Sequence, residues 1–324
     1  MNSQHAQAIS HLLFHCGNLQ PTDKGLILCN PETQAIAEAF VAQAQQKQCH
    51  MALKILPPLQ HHGQELDHAT AKAMTSASLV ISLCTYSLAH SKARLESAKG
   101  GGRFLSLPFY NWELLEDPSL KVDFRAQYDT VYAVSEALTA AKQVHVTTSK
   151  GTDLYLDVKG RQGNACPGFV SNAGDLGSPP DIEANIAPIE DASEGILVID
   201  GSITDPNLGL LSSPVTLHIA KGRIQQFIAQ EAAQMDYLET LFHQEQGLRR
   251  VLAECGIGLN PAAKLTGTML TDEGSLGSVH FGFGSNATIG GENQVNFHLD
   301  FVCRDASLAV DGRYLLKEGQ LQCF

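Results

Sequence analysis

The stretch Lys24-Gly-Leu-Ile-Leu-Cys-Asn-Pro-Glu32 contains a short apolar run that is followed at once by a helix-opening Asn-Pro-Glu. Residues 32–48 then place apolar side chains at helical spacing, and residues 51–56 form a second apolar run that stops at two prolines. A third such run follows at 79–83. Short buried strands that alternate with helices predict a parallel sheet, so we expect an α/β domain over residues 1–142.

The pattern changes in the second half of the chain. Residues 143–148 and 153–158 alternate polar and apolar side chains on either side of Gly151, which is typical of two antiparallel strands joined by a turn. Further strand-like runs follow, and residues 234–252 show the apolar spacing of one amphipathic helix. We therefore predict an α+β domain with mainly antiparallel strands over residues 143–324.

The charge balance and the apolar stretches exclude several functions. The 22 basic and 34 acidic residues give a net charge of −12 with no basic run, so we expect neither nucleic-acid nor membrane-surface binding. The longest apolar stretches fall far short of the roughly 20 residues that span a bilayer, and no secretory signal is visible. We predict a cytoplasmic protein whose eight cysteines, which form no CxxC pair, are reduced, buried thiols.

Side chains that can bind a metal are concentrated in the last quarter of the chain. His298 and Asp300 are two residues apart on a predicted strand, so both side chains lie on one face. His280 lies on another predicted strand, Glu254 precedes a glycine-rich turn, and Glu183 lies in a segment between prolines. These nitrogen and oxygen donors suit zinc, cobalt, manganese or iron(II). Two ions bridged by one carboxylate need about that many ligands.

Several short segments, spread over nearly the whole chain, carry a family resemblance. They are Ser87-Leu-Ala-His90-Ser-Lys-Ala-Arg94, Gly151-Thr-Asp-Leu-Tyr-Leu-Asp-Val-Lys-Gly-Arg161, Glu183-Ala-Asn-Ile-Ala-Pro188, Glu254-Cys-Gly-Ile-Gly-Leu-Asn-Pro-Ala262, the run from Leu270 to His280, Gly290-Gly-Glu-Asn293, His298-Leu-Asp300 and Val310-Asp-Gly312. In order and spacing they resemble the aminopeptidase T and aminopeptidase S family of metallopeptidases. The resemblance implies a hydrolase that removes N-terminal residues from peptides with a metal-activated water, and a homodimer.

The resemblance also implies the site residues. Carried over position by position, the family's metal ligands fall on Glu183, Glu254, His280, His298 and Asp300. Glu254 is also the family's candidate general base, and about two zinc, cobalt or manganese ions per chain are implied. One position departs, because the tyrosine that stabilises the oxyanion in the family is Ala287 here. We therefore expect inefficient hydrolysis of ordinary peptides.

A second class of enzyme fits the same residues. Non-haem iron enzymes of the 2,5-dihydroxypyridine dioxygenase type resemble this family too, and they imply a 2-His-1-carboxylate triad on one iron(II) with a histidine base from the N-terminal domain. Here His280, His298 and Asp300 could supply the triad, and His90 the base. A metal-binding homologue without enzyme activity is a third alternative. Five candidate ligands favour two metals over one, so an aminopeptidase is the first expectation.

Overall fold

The computed structural model describes residues 1–323. Its helices are α1 (Ser3–Ser10), α2 (Gln34–Gln46), α3 (His68–Thr75), α4 (Lys92–Lys99), α5 (Tyr128–Ala140), α6 (Ala232–Phe242) and α7 (Met269–Glu273). Its strands are β1 (Gly25–Cys29), β2 (Met51–Ile55), β3 (Leu79–Leu83), β4 (Arg103–Ser106), β5 (Gln143–Thr147), β6 (Asp153–Asp157), β7 (Gly163–Cys166), β8 (Leu176–Gly177), β9 (Glu183–Ile186), β10 (Glu194–Ile199), β11 (Ser202–Ile203), β12 (Gly209–Leu210), β13 (Val215–Ala220), β14 (Arg223–Ile228), β15 (Leu252–Gly258), β16 (Val279–Gly284), β17 (His298–Cys303), β18 (Ser307–Val310), β19 (Arg313–Lys317) and β20 (Gln320–Leu321).

Contacts divide the chain into two units. The first comprises residues 1–126 and 166–180, and the second comprises residues 127–165 and the chain from 181 onward. Helix α5 therefore groups with the second unit, while the domain boundary after residue 142 stays a prediction.

None of the helices described for residues 1–323 is long and apolar enough to cross a membrane.

All eight cysteines are free, and all of them are buried except the half-buried Cys166 and the exposed Cys323. The cytoplasmic location and the homodimer stay predictions.

The first unit contains a five-stranded parallel sheet in the order β2-β1-β3-β4-β8. Strand β1 is buried along its whole length and pairs with β2 on one side and β3 on the other. After β1, a short 3-10 turn begins with Pro31 and leads into α2, and the backbone carbonyl of Asn30 accepts from the N–H of Thr33 at 3.1 Å. Helix α2 buries Ile36, Phe40 and Ala44, which lie four residues apart on one face. The parallel α/β domain predicted from the sequence is confirmed.

The second unit contains two sheets whose strands pair antiparallel, as predicted. One has eight strands in the order β14-β13-β10-β6-β5-β18-β19-β20, and the other has seven in the order β12-β11-β17-β16-β15-β9-β7. An aromatic cluster joins them. The ring of Phe242 on α6 lies 5.2 Å from that of Phe227 on β14 and 5.9 Å from that of Phe301 on β17. This cluster covers one face of the seven-stranded sheet and leaves the other face for polar side chains.

The single helix predicted over residues 234–252 is wrong. Helix α6 ends at Phe242, a 3-10 segment follows, and β15 already begins at Leu252. The helix cannot continue because Gln246 and Gly247 have φ angles of 53° and 80°, in the left-handed region. The apolar residues near 252 matched the helical spacing, but they belong to a buried strand. As a result, Glu254 lies within β15 rather than at the opening of a turn.

Candidate metal centre

Four neighbouring strands of the seven-stranded sheet carry the predicted ligands. Glu183 is on β9, Glu254 on β15, His280 on β16, and His298 and Asp300 are on β17. The strands lie side by side in the order β17-β16-β15-β9. Alternate residues of a strand share one face, and residues that pair across strands share it too. The register therefore places all five side chains on the same face of the sheet.

Two glycines provide the space in which these side chains meet. Gly256 is directly opposite His280, and Gly282 is directly opposite Glu254. A Cβ atom on Gly256 would lie 2.1 Å from Nε2 of His280, and one on Gly282 would lie 2.6 Å from Nε2 of His298. Both distances are far below van der Waals contact. The glycines that the sequence suggested as turn residues are thus strand residues that make room for two imidazoles.

The candidate ligand atoms form two groups that share Glu254. Nε2 of His280 is 2.9 Å from Oε2 of Glu183 and 3.7 Å from Oε1 of Glu254. Nε2 of His298 is 3.2 Å from Oε2 of Glu254 and 3.1 Å from Oδ1 of Asp300. In each group the three ligand atoms lie within 4.8 Å of one another. Glu254 directs one oxygen toward each histidine, as a bridging carboxylate would.

Two details of the sequence predictions look different in the structure. Among residues 1–323, the proposed triad of His280, His298 and Asp300 is not one of the groups that meet within 4.8 Å, because His280 is grouped with Glu183 and Glu254. His90 is an exposed residue between β3 and α4 of the first unit. Its role as a base, like metal binding by the five ligands, stays a prediction.

Polar residues around the ligands fix their orientation. Nδ1 of His298 donates a hydrogen bond of 2.8 Å to the carbonyl oxygen of Ser285, which leaves Nε2 facing the carboxylates. Nδ2 of Asn185 donates to Oε1 of Glu183 at 2.7 Å, and Nδ2 of Asn164 donates to Oδ1 of Asn185 at 2.9 Å. The sequence analysis missed Asn185, although its position two residues after Glu183 on a strand could have indicated it.

Two further carboxyl groups next to the ligands were also missed. Oδ1 of Asp181 and Oε1 of Glu273 are inaccessible to water and have no hydrogen-bond partner. Burial raises the pKa of Asp181 well above its ordinary value, and the charge of Glu183 raises it further. Burial likewise raises the pKa of Glu273, and the charge of Asp300 adds to the effect. Both shifts favour the neutral form of these carboxyl groups.

The pKa values of the two histidines and of Glu254 are instead shifted toward the charged forms. Burial lowers the pKa of His280 and of His298, but the neighbouring carboxylates outweigh it and hold both pKa values well above the ordinary one. Burial raises the pKa of Glu254, but hydrogen bonds from the two imidazoles bring it far below the usual range. The neighbouring carboxylates therefore favour the protonated form of both imidazoles.

These features fit a divalent metal ion. The site offers imidazole nitrogen and carboxylate oxygen, which divalent transition metals bind well, and its glycines leave room beside the donors. A divalent ion can take the place of the protons that the carboxylates favour on the two imidazoles. The site is thus suited to exchange protons for a metal.

Metal binding should release protons. Because the pKa values of His280 and His298 are raised, a metal must displace an imidazole proton, so affinity should increase with pH by about tenfold per unit for each proton displaced. Calorimetry of Co²⁺ binding near neutral pH, in two buffers with different ionisation enthalpies, measures this release directly. A Co²⁺ affinity that does not change between mildly acidic and mildly alkaline pH would contradict the assignment of imidazole ligands.

Comparison with known proteins identifies related enzymes. Residues 6–323 match the family described as NicX: 2,5-dihydroxypyridine 5,6-dioxygenase. A 2,5-dihydroxypyridine 5,6-dioxygenase from Pseudomonas putida is 26% identical over 269 residues, which cover 78% of this chain and 73% of that protein.

Two solved structures share the fold. The structure of 2,5-dihydroxypyridine dioxygenase from Pseudomonas putida has a TM-score of 0.86 and 23% identity, and the match covers 100% of this chain and 98% of that one. Wild-type AmpT from Thermus thermophilus has a TM-score of 0.73 and 14% identity, with 99% of each chain covered. At these identities the similarity shows the fold alone.

The aminopeptidase function expected from the sequence is wrong. The family that matches the chain and the Pseudomonas putida relative are dioxygenases. The predicted membership in the aminopeptidase family is therefore wrong, and so are the predicted hydrolase, protease and aminopeptidase classes. The expected fold is confirmed, because AmpT shares it. The error has a physical reason: the quoted motifs encode a sheet that carries candidate metal ligands, and such ligands do not by themselves select the metal, the substrate or the reaction. The departure at Ala287 was the one position that argued against peptide hydrolysis.

Proposed function

Because the chain belongs to the NicX family of 2,5-dihydroxypyridine 5,6-dioxygenases, we propose that it is an iron(II)-dependent dioxygenase that opens a dihydroxylated pyridine ring between C5 and C6. The observation that carries this proposal is the family match over residues 6–323, which includes all four strands that bear the candidate ligands. The enzyme would then be an oxidoreductase that uses dioxygen as its second substrate.

We assign the iron to Glu254, His298 and Asp300. A metal that reacts with dioxygen and a substrate needs open coordination positions. The side chain of His298 is 24% exposed, whereas that of His280 is 2% exposed, so the group around His298 is the accessible one. Iron(II), when bound, supplies the redox chemistry that allows dioxygen to react with an aromatic ring.

The remaining residues of the site hold these donors in place. Glu183 and His280 form a buried pair, and His280 also faces Oε1 of Glu254, which keeps Oε2 directed toward His298. The carbonyl of Ser285 keeps a proton on Nδ1 of His298, so Nε2 is the nitrogen available to a metal. The site is therefore arranged before any substrate arrives.

The proposal needs one iron per chain, whereas the sequence predicted about two divalent ions. A second ion would be held by the second group of donors, which consists of Glu183, Glu254 and His280. Elemental analysis of the iron-loaded protein distinguishes the two: about one iron per chain supports the mononuclear assignment, and about two contradict it.

The proposed activity is tested with protein loaded anaerobically with iron(II). On addition of 2,5-dihydroxypyridine and isotopically labelled dioxygen, we expect equimolar consumption of both and the presence of both labelled oxygen atoms in the ring-opened product. Zinc-loaded protein, which lacks redox chemistry, should be inactive and serves as the control. If the iron-loaded protein consumes no oxygen with any dihydroxylated pyridine, the proposal fails.

His90 remains the proposed base for a substrate hydroxyl. General bases contribute roughly 10²–10⁴-fold to turnover, so His90→Gln should lower kcat by about that factor without changing iron content. His50→Gln, a change of an exposed histidine in the same unit, is the matched control. Wild-type kcat in His90→Gln would exclude the role.

A further inference from the structure

The loop between β16 and β17 contacts the candidate metal centre at its beginning. Its first residue, Ser285, accepts the Nδ1 hydrogen bond of His298 at 2.8 Å. That bond selects which imidazole nitrogen faces the candidate metal position. Residues 285–293, here called the anchored loop, therefore control the orientation of one proposed ligand through a backbone carbonyl.

The anchored loop is held rigid by two buried asparagines. Oδ1 of Asn286 accepts from the backbone N–H of Asn293 at 2.8 Å, and Nδ2 of Asn293 donates to the carbonyl of Gly284 at 2.6 Å. A Cβ atom on Gly291 would lie only 2.0 Å from Cγ of Asn286, so the turn closes tightly around that side chain. These contacts link the far end of the loop to Gly284 and Ser285 at its start.

The far end of the loop is fixed by a partly buried ion pair. Glu190 accepts from Nδ2 of Asn286 at 2.9 Å and from the backbone N–H of Glu292 at 2.7 Å, both through Oε1. Its other oxygen pairs with Arg161, whose Nη1 donates to the carbonyl of Gly290 at 2.6 Å. Two side chains from elsewhere in the sequence therefore make four direct contacts with one another and with the loop.

Arg161 closes the segment Gly151-Thr-Asp-Leu-Tyr-Leu-Asp-Val-Lys-Gly-Arg161, which no ligand assignment explains. Its contacts give that segment a role. We propose that Arg161 and Glu190 are positioning residues for the metal centre, which act through the anchored loop to hold the imidazole of His298. This inference rests on the proposed metal centre and adds a control of ligand orientation to it.

The test compares Arg161→Met with the matched control Arg103→Met. Arg103 forms a similar partly buried pair with Asp23 at 2.7 Å and also donates to backbone carbonyls, but it belongs to the first unit. The first measurement is the imidazole nitrogen NMR signal of His298 and the exchange protection of its Nδ1 proton in the metal-free protein. The second is the affinity and visible spectrum of Co²⁺.

We expect Arg161→Met to lose the protection of the Nδ1 proton, to alter the Co²⁺ spectrum and to weaken Co²⁺ binding by about 10–100-fold, as is typical for outer partners of metal ligands. Arg103→Met should lower the thermal stability and leave both site measurements as in the wild type. Glu190→Gln keeps the shape of the side chain and removes its charge, so it should show a smaller change in the same direction. If Arg161→Met does not fold, the result for Glu190→Gln tests the proposal.

The inference is overturned if Arg161→Met and Glu190→Gln keep the His298 signal and the wild-type Co²⁺ affinity. It is also overturned if Arg103→Met weakens Co²⁺ binding as much as Arg161→Met, because the effect would then be general destabilisation. Failure of the proposed dioxygenase activity would appear separately, as absent oxygen consumption by the iron-loaded wild type, and would leave both of these measurements intact.

Discussion

Asp300→Ala is expected to abolish metal retention and, with it, all ring-opening activity. Asp300 contributes one of the three donor atoms of the accessible group, and its carboxylate oxygen lies 3.1 Å from Nε2 of His298. The loss of Co²⁺ or iron affinity should exceed the roughly 10–100-fold effect that is typical of outer partners. His298→Ala should have the same consequence because it removes the only nitrogen donor of that group. Metal titration followed by elemental analysis measures both variants.

Asp153→Ala is the matched control for this prediction. Asp153 also pairs with a histidine, His145, at 2.8 Å, but on strands of the eight-stranded sheet. Its removal should leave metal content and activity as in the wild type. If Asp300→Ala and His298→Ala both retain the wild-type metal stoichiometry and affinity, the ligand assignment is wrong.

Gly282→Ala is expected to disable the metal centre by adding a single methyl group. The new Cβ would lie 2.6 Å from Nε2 of His298 and 2.9 Å from Oδ1 of Asp300, so both donors must move. Gly282 belongs to β16 and is buried on a rigid strand between the two donor-bearing strands. The strand cannot shift without breaking its ladder. We expect loss of Co²⁺ binding by a factor comparable to that of Asp300→Ala, with a moderate loss of stability.

Gly100→Ala tests whether any added methyl group has this effect. Gly100 follows α4 with a φ of −78°, and the nearest atom to a Cβ there would be the carbonyl oxygen of Ser97 at 3.3 Å. That variant should keep its metal affinity. Thermal unfolding and Co²⁺ titration on both proteins separate a local clash from a general loss of stability. Wild-type Co²⁺ affinity in Gly282→Ala would show that the donors do not occupy these positions when metal is bound.

The sequence was most informative where the structure depends on residues that are close together in the chain. The apolar runs and helix signals of residues 24–83 depend on neighbouring residues alone, and they predicted the parallel sheet correctly. The spacing of His298 and Asp300 predicted that both lie on one strand face, because a strand alternates its side chains whatever surrounds it. Local spacing failed at residues 234–252, where a left-handed turn at Gln246 interrupts the helix.

Function was less predictable than fold. The resemblance selected donor residues that the structure brings together on one face of a sheet, but it attached them to the wrong reaction. Glu183, Glu254 and His280 can suit several divalent metals, and donor chemistry alone does not choose between hydrolysis and oxygen chemistry. The sequence therefore indicated the set of candidate donor residues more closely than the reaction.

Only the tertiary structure decided how the donors are shared and supported. Glu254 serves both groups because the strand register places it between two histidines from other strands. The Glu190 contacts to Arg161 and Asn286 join residues 29 and 96 positions apart. Such contacts depend on which strands and loops become neighbours. The periodicity within one segment does not predict which other segments will lie beside it. The sequence by itself determined the parallel sheet of the first unit and the strand face that His298 and Asp300 share, since these follow from short-range chemistry. The register between strands then decided which candidate ligands meet.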